Sequence, residues 1–302
     1  MNNNINNKIN SIKNLKKKIV LAPMAGITNS EFCLHHNNKN NSNNNNLFGI
    51  LTIGAYSLDK ETLTASEKIA NKGRKEFIYN LNNFDKLIKN EINTIKQNTK
   101  SLVSVNIRFK NIYNCKDNIK SVLKYGDILE LNCHCRQKEI TELGIGEELL
   151  KKENNKILKE NLEIINNLKN EINNEYNKNT NIFLKIRANV VSLKELINNL
   201  NNIKNYFDGL HIDCFYPNKP YADLEYLKEV GTNFKDKIII GNNSVNSINS
   251  AEEMLKYCDL VSVARCVLNN NIKWIEEFNR KNNINNKINN SNNSNNNKTI
   301  TK

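Results

Sequence analysis

At 302 residues the chain is long enough for one large domain or two small ones, and length alone does not choose. A hydrophobic share of 38% is low for a globular chain, roughly a fifth of all residues are asparagine, and the formal charge is +13. No apolar run is long enough to cross a bilayer and the polar amino terminus lacks a signal-like hydrophobic segment. The expectation is therefore a cytoplasmic protein with no membrane partner.

Much of the asparagine sits in runs, Asn2 to Asn10, Asn37 to Asn46 and Asn282 to Asn297. These tracts carry no core-forming pattern, so the expected organisation is a low-complexity segment 1–17, a folded unit 18–280 with an insertion near 37–46, and an Asn-rich tail 281–302. The folded unit starts with a short apolar strand, Lys18 to Ala22, stopped by Pro23, which has no N–H to give a ladder. A loop follows, and Asn29 or Ser30 can cap a short helix over Phe32 to His36. Phe48 to Ile53 reads as a second strand ending at Gly54, Leu58 to Lys72 as a helix, and Asn82 to Gln97 as another, with Leu87, Ile88, Ile92 and Ile95 at helical spacing. Leu102 to Ile107 is a third strand, Ile112 to Tyr125 a helix, and Asp127 to Asn132 a fourth strand. A polar helical region, Glu147 to Asn173, precedes the fifth strand, Ile182 to Arg187, and a helix over Ser192 to Ile203. Gly209 to Asp213, Lys237 to Gly241 and Leu260 to Val263 complete the strands, with helices over Tyr221 to Val230, Ala251 to Tyr257 and Asn271 to Arg280.

Strand and helix alternate throughout, which implies a parallel sheet. Eight repeats over about 250 residues predict an α/β fold, a closed (β/α)₈ TIM barrel, with an open doubly wound sheet as the competing arrangement. No G-x-G-x-x-G follows the first strand, which counts against dinucleotide binding. In a barrel the carboxyl ends of all strands share one face. That face would collect Pro23, Met24, Asn106, Asn132 to Cys135, Lys185, Arg187, Asp213, Asn242, Asn243, Ala264 and Arg265.

Three parts of that face carry chemistry. The loop between Asp127 and Leu150 holds Asn132, Cys133, His134, Cys135, Arg136 and Gln137, with Gly144 and Gly146 giving a turn where a backbone can approach a ligand. Cys-His-Cys can be read as a catalytic thiol, as half of a metal site, or as buried inert thiols. The metal reading lacks C-x₂-C spacing and a second cluster. Seven cysteines at irregular spacings suit reduced thiols. Lys185 lies late in an apolar strand, and a buried lysine needs an anionic partner unless its stem reaches water. Gly241 to Ser244 and Ala264 with Arg265 occupy the loops where barrels commonly hold a phosphate, or they are ordinary turns with a solvated arginine.

Taken together these motifs resemble the tRNA-dihydrouridine synthases, FMN-dependent barrel flavoproteins. LAPMAGIT at Leu21 to Thr28 is similar to their opening motif, LELNCHCRQ with GIGEELL to their catalytic-cysteine segment, LKIRA to their flavin-contacting lysine strand, and IIGNNSV with VSVARCVL to their phosphate loops. The resemblance covers about residues 18 to 268. It implies that Pro23, Met24 and Ala25 back the flavin and that Asn106 stands where the family has a ring-bonding glutamine. Lys185 would stabilise negative charge on the reduced ring. Asn242, Asn243, Ala264 and Arg265 would hold the phosphate. Cys135 falls on the catalytic cysteine, with Asn132 three residues before it, and Asp213 stands in place of the family's histidine after strand six. The implied reaction is reduction of the uridine C5–C6 bond by flavin hydride with a cysteine general acid, with NADPH or NADH as electron donor and tRNA as partner.

Departures from that pattern are His134 and Arg136 where the family has Gly and Pro, the Asp213-Cys214-Phe215-Tyr216 replacement, and a single short helix after strand eight. The charge of +13 suits RNA but also matches a chain-wide excess of lysine. Two other functions remain open on sequence. One is a flavoenzyme resembling dihydroorotate dehydrogenase, acting on a free pyrimidine or similar small ring. The other is a non-catalytic flavin- or phosphate-binding barrel.

Overall fold

The computed structural model describes residues 11–37 and 46–282. The asparagine tracts at 2–10, 38–45 and 283–297 lie outside the described residues. Eight strands, β1 (Ile19–Leu21), β2 (Ile50–Ser57), β3 (Leu102–Arg108), β4 (Ile128–Cys133), β5 (Asn181–Arg187), β6 (Gly209–Asp213), β7 (Ile238–Asn242) and β8 (Leu260–Val263), pair in chain order and close into a barrel. Every pairing is parallel, and β8 returns to β1 through Ile19 opposite Val261 and Leu21 opposite Val263. The structure is thus the (β/α)₈ barrel that strict alternation predicts.

Helices α1 (Ser30–Asn37), α2 (Lys60–Asn71), α3 (Phe84–Asn98), α4 (Lys116–Tyr125), α5 (Lys138–Thr141), α6 (Asn155–Tyr176), α7 (Leu193–Asn201), α8 (Leu224–Asn233), α9 (Ile248–Met254) and α10 (Arg265–Leu268) connect the strands, and α11 covers 273–282. Their apolar stripes meet the outward side chains of the sheet. Phe84, Ile88, Ile92 and Ile95 of α3 are buried with Val103, Val105 and Ile107 of β3 in one core. Asn29 caps α1 by accepting the Phe32 N–H at 2.9 Å, as its position before the apolar run predicts.

Three of the boundaries that differ from the sequence expectation do so for a clear local reason. Strand β2 continues past Gly54 to Ser57, because the register shifts between Ile53 and Tyr56 and the glycine marks an irregularity, not an end. The helix expected over 112–125 is a 3₁₀ turn, Ile112–Asn114, and then α4, broken at Cys115. The region 147–173 begins as two 3₁₀ turns, Gly146–Leu150 and Lys152–Asn154, before α6 starts at Asn155.

Inside the barrel the side chains form layers. Val20, Ile50, Ile128, Phe183, Ile238, Ile240 and Leu260 fill the lower half, with Ile12 of the preceding segment packed beneath them. Each such buried side chain contributes about 1.5–3 kcal/mol of transfer free energy. Gly209 makes room for this plug, since a Cβ there would lie 2.8 Å from the Phe183 ring. Above the plug the inward positions turn polar. Asn106 pairs in register with Glu130, Lys185 with His211 and Arg187 with Asp213. Burial of so many polar groups is tolerable only if they satisfy one another, and this requirement shapes the site.

Candidate active site

The strand ends and their loops enclose a cavity of about 870 Å³ at the carboxyl face of the barrel. Its wall carries five cationic side chains, Arg136, Lys185, Arg187, Lys219 and Arg265, against the single carboxylate of Asp213. Such an excess of positive charge in a half-enclosed space selects an anionic ligand. Ala22, Pro23, Val263 and Ala264 give it an apolar side.

Of the residues singled out from sequence, Pro23, Lys185, Asp213, Asn242, Asn243, Ala264 and Arg265 line this cavity. Met24 and Ala25 continue the first loop outside the lining. That loop is tied down by Thr28, fully buried, whose Oγ1 accepts the Met24 N–H at 2.9 Å and donates to the Gly54 carbonyl at 2.9 Å. Asn106 and Asn132 stand one layer below the cavity, and the structure engages both ends of each amide within the protein. Asn132 Nδ2 donates to Asn106 Oδ1 at 2.9 Å, Asn106 Nδ2 donates to Glu130 Oε1 at 2.7 Å, and Asn132 Oδ1 accepts the backbone N–H groups of His134 and Cys135. These bonds orient both amides and place them in the support of the mouth.

Asp213 is the electrostatic centre of one side. Its Oδ2 lies 2.8 Å from His134 Nε2 and 3.0 Å from Arg187 Nη1, and its Oδ1 accepts from Asn243 Nδ2 at 2.8 Å. Burial pushes the carboxyl up, but the His134 hydrogen bond and the charges of Lys185 and Arg187 more than offset it and hold it well below the ordinary range. The Arg187 guanidinium also stacks on Phe215 at 3.9 Å from the ring centroid. Asn243 and Ser244 follow β7 with φ of 96° and 56°, so the backbone of this cavity loop turns through two left-handed residues without glycine.

Lys185 is 3% exposed and rests on His211, with Nζ 3.1 Å from Nε2. His211 Nδ1 is 2.7 Å from Glu130 Oε2, and Ser262 Oγ is 2.6 Å from Nε2. Burial and the Lys185 charge keep His211 below its ordinary value despite Glu130, so the ring is neutral. Burial lowers Lys185 below its ordinary value, only partly opposed by the carboxylates of Glu130 and Asp213.

Cys135 is on the opposite side. It lies between two lining residues, His134 and Arg136, but its Sγ faces Arg108, 3.9 Å from Nη1, and is not part of the cavity wall. Arg108 is buried and paired to Glu76 at 2.5 Å, with Ser57 and Ser66 as further acceptors at 3.0 and 2.8 Å. Burial raises the thiol against the pull of Arg108. Gly146, at φ 68°, closes this loop: a Cβ there would stand 2.3 Å from the Cys135 carbonyl, which accepts the Glu147 N–H. Cys133 is wholly buried among apolar residues, and all seven cysteines are free thiols.

Sequence reasoning passed over Glu130, His211, Ser262 and Arg108, and placed His134 at the mouth without giving it a role beyond the metal reading. The signal was there, for Glu130 stands two residues before Asn132 and His211 two before Asp213, each inside an otherwise apolar strand and so on the inward face. Among the described residues no group of three or more His, Cys, Asp or Glu converges as a metal site would need, and no helix is long and apolar enough to cross a membrane.

No family model matches the chain. Among solved structures it is similar to 2,3-dimethylmalate lyase of the PEP mutase/isocitrate lyase superfamily, with TM-score 0.54 and 10% identity over 90% of this chain and 82% of that one. It is also similar to the alpha subunit of tryptophan synthase from Campylobacter jejuni, with TM-score 0.50 and 14% identity over 89% of this chain and 98% of that one. At these identities the likeness is one of fold, the barrel itself. In sequence, the uncharacterized protein MJ0144 of Methanocaldococcus jannaschii is 51% identical over 278 residues, 92% of this chain and 100% of that protein. An identity and coverage of this size place the chain in the family of the Methanocaldococcus jannaschii protein.

Proposed function

We propose that the chain is an FMN-dependent oxidoreductase that reduces the C5–C6 bond of a uracil ring, with uridine in tRNA as the substrate. The carrying observation is the cavity wall, five cations, the buried Lys185 among them, to one carboxylate, at the strand ends whose motifs resemble those of the dihydrouridine synthases. The donor set suits FMN. Arg265, with Asn242, Asn243 and the small Ala264, would hold the phosphate, Lys185 would face the electron-rich end of the ring system, and Ala22 and Pro23 would pack on it. Bound FMN supplies a hydride, which is chemistry that no side chain can provide.

The chain's own part is to bind, orient and handle protons. Lys185 stands where negative charge has to be accommodated, and an anion bound there would favour its ammonium form. Cys135 is the proposed proton donor to the substrate carbon; because its Sγ faces Arg108 and not the cavity, donation requires the His134–Arg136 loop to turn the thiol into the mouth. Its thiol is kept protonated by burial, and Arg108 beside it favours the thiolate left after donation. His134, held by Asp213 and exposed to the cavity, lies beside it on the same loop. The electron donor is NADPH or NADH.

The test is mass analysis of nucleosides from tRNA incubated with the protein, FMN and NADPH. Dihydrouridine is the expected product, and its absence with Cys135→Ala is expected while FMN remains bound. Untouched tRNA alongside reduction of a free pyrimidine would transfer the substrate to the small ring, and no flavin binding would remove the proposal altogether.

A further inference from the structure

The polar chain inside the barrel has a fixed sense. It begins where Asn132 Oδ1 accepts the backbone N–H groups of His134 at 3.1 Å and Cys135 at 3.0 Å. A backbone N–H can only donate, so Asn132 turns its oxygen to the loop and its NH₂ to Asn106. Asn106 then presents its oxygen to Asn132 and its NH₂ to Glu130 Oε1. The other carboxylate oxygen stands 2.7 Å from His211 Nδ1. An ionised carboxylate only accepts, which puts the imidazole proton on Nδ1 and the lone pair on Nε2. That lone pair faces both Lys185 Nζ at 3.1 Å and the Ser262 hydroxyl at 2.6 Å, and each of these can donate to it.

We propose that Glu130 and His211 are positioning residues that hold Lys185 as an ammonium at the cavity floor, in an orientation pinned by the backbone of the His134–Cys135 loop. Glu130, His211 and Lys185 together carry charges of −1, 0 and +1, so the buried ammonium has its counter-charge one ring away and can face the cavity. Glu130 is 1% exposed and His211 wholly buried, so neither touches a ligand; they act through Lys185. The significance of Lys185 for binding rests on the FMN reading above, but the arrangement of protons does not.

A glutamine at position 130 exposes the logic. Its oxygen must face the Asn106 NH₂, so its own NH₂ meets His211 Nδ1. The imidazole is then forced to carry its proton on Nε2, where the Ser262 hydroxyl can accept it, and Lys185 loses the lone pair that received its N–H. The experiment is a long-range ¹H–¹⁵N correlation spectrum of the full-length protein labelled at histidine. The chain has four histidines, and His211→Asn identifies the signals of interest. Wild type is expected to show His211 protonated on Nδ1, and Glu130→Gln on Nε2. FMN, titrated as the probe, is expected to bind the variant about tenfold or more weakly, the loss of one charge-assisted contact. A wild-type His211 protonated on Nε2 overturns the proposal even if the variant does not fold, as does an unchanged tautomer in a folded Glu130→Gln. A switched tautomer with equal FMN affinity for both proteins also overturns it. If the tautomer switches and neither protein binds FMN, the relay stands and the FMN reading fails.

Discussion

Glu76→Ala is a severe test of how the Cys135 side of the mouth is built. The Arg108–Glu76 pair has side chains only 2% and 3% exposed, and once the carboxylate is gone Arg108 keeps only neutral partners, the Ser57 and Ser66 hydroxyls and the Cys135 sulfur. Burial pushes the Glu76 carboxyl up against the pull of Arg108, so the intact pair adds little net stability. Removing one half is different, because a charge then remains buried and unpaired, at a cost of about 3–5 kcal/mol. At roughly 2–4 °C per kcal/mol for a domain of this size, the thermal midpoint should fall by about 6–20 °C. Replacing both partners, Arg108→Met with Glu76→Leu, should recover most of that loss. Urea denaturation gives the free energies, and the rate at which iodoacetamide alkylates Cys135 reports the loop. A Glu76→Ala midpoint within experimental error of wild type would refute the reasoning, since Arg108 would then have no need of its partner.

Gly209→Ala should destabilise by about 1–3 kcal/mol in urea, because its methyl group meets the Phe183 ring inside a filled barrel; an unchanged midpoint would mean that the plug is loose. Arg265→Ala should weaken binding of inorganic phosphate by about tenfold or more and flatten its dependence on salt, measured by calorimetry. For Asp213 the sign follows from its depressed folded value. Its charge stabilises the native state above the unfolded carboxylate range, about pH 4, and that contribution disappears as pH falls through the lower folded value. Wild type and Asp213→Asn should therefore differ by a constant amount near neutrality and converge in acid. A difference that grows as pH falls would show that Asp213 is not ionised against its partners.

The barrel was readable because each strand is a short apolar run in a polar chain, and the period of strand and helix survives the asparagine bias. Position at a strand end was enough to bring Lys185, Asp213, Asn243 and Arg265 to one cavity. What sequence could not supply was direction within that face. Cys135 and His134 are neighbours, yet one turns to Arg108 and the other to Asp213, because each finds its charge partner on a different strand. Asn106 and Asn132 were placed at the strand ends, but the network that orients their amides, a carboxylate and two backbone N–H groups, comes from other strands and a loop and is not visible in sequence. Glu130 and His211 went unread for the opposite reason: lone charged residues in apolar strands look like exceptions until the barrel closes and sets them against each other.

The central claim is that the mouth holds a phosphate-bearing flavin over Lys185, and equilibrium titration of the full-length protein with FMN, read as flavin fluorescence quenching, tests it most directly. One saturable site is expected, weakened by inorganic phosphate as competitor and by Lys185→Ala, with riboflavin binding far more weakly for want of the phosphate. Riboflavin bound as tightly as FMN, or FMN that never saturates, would contradict the account.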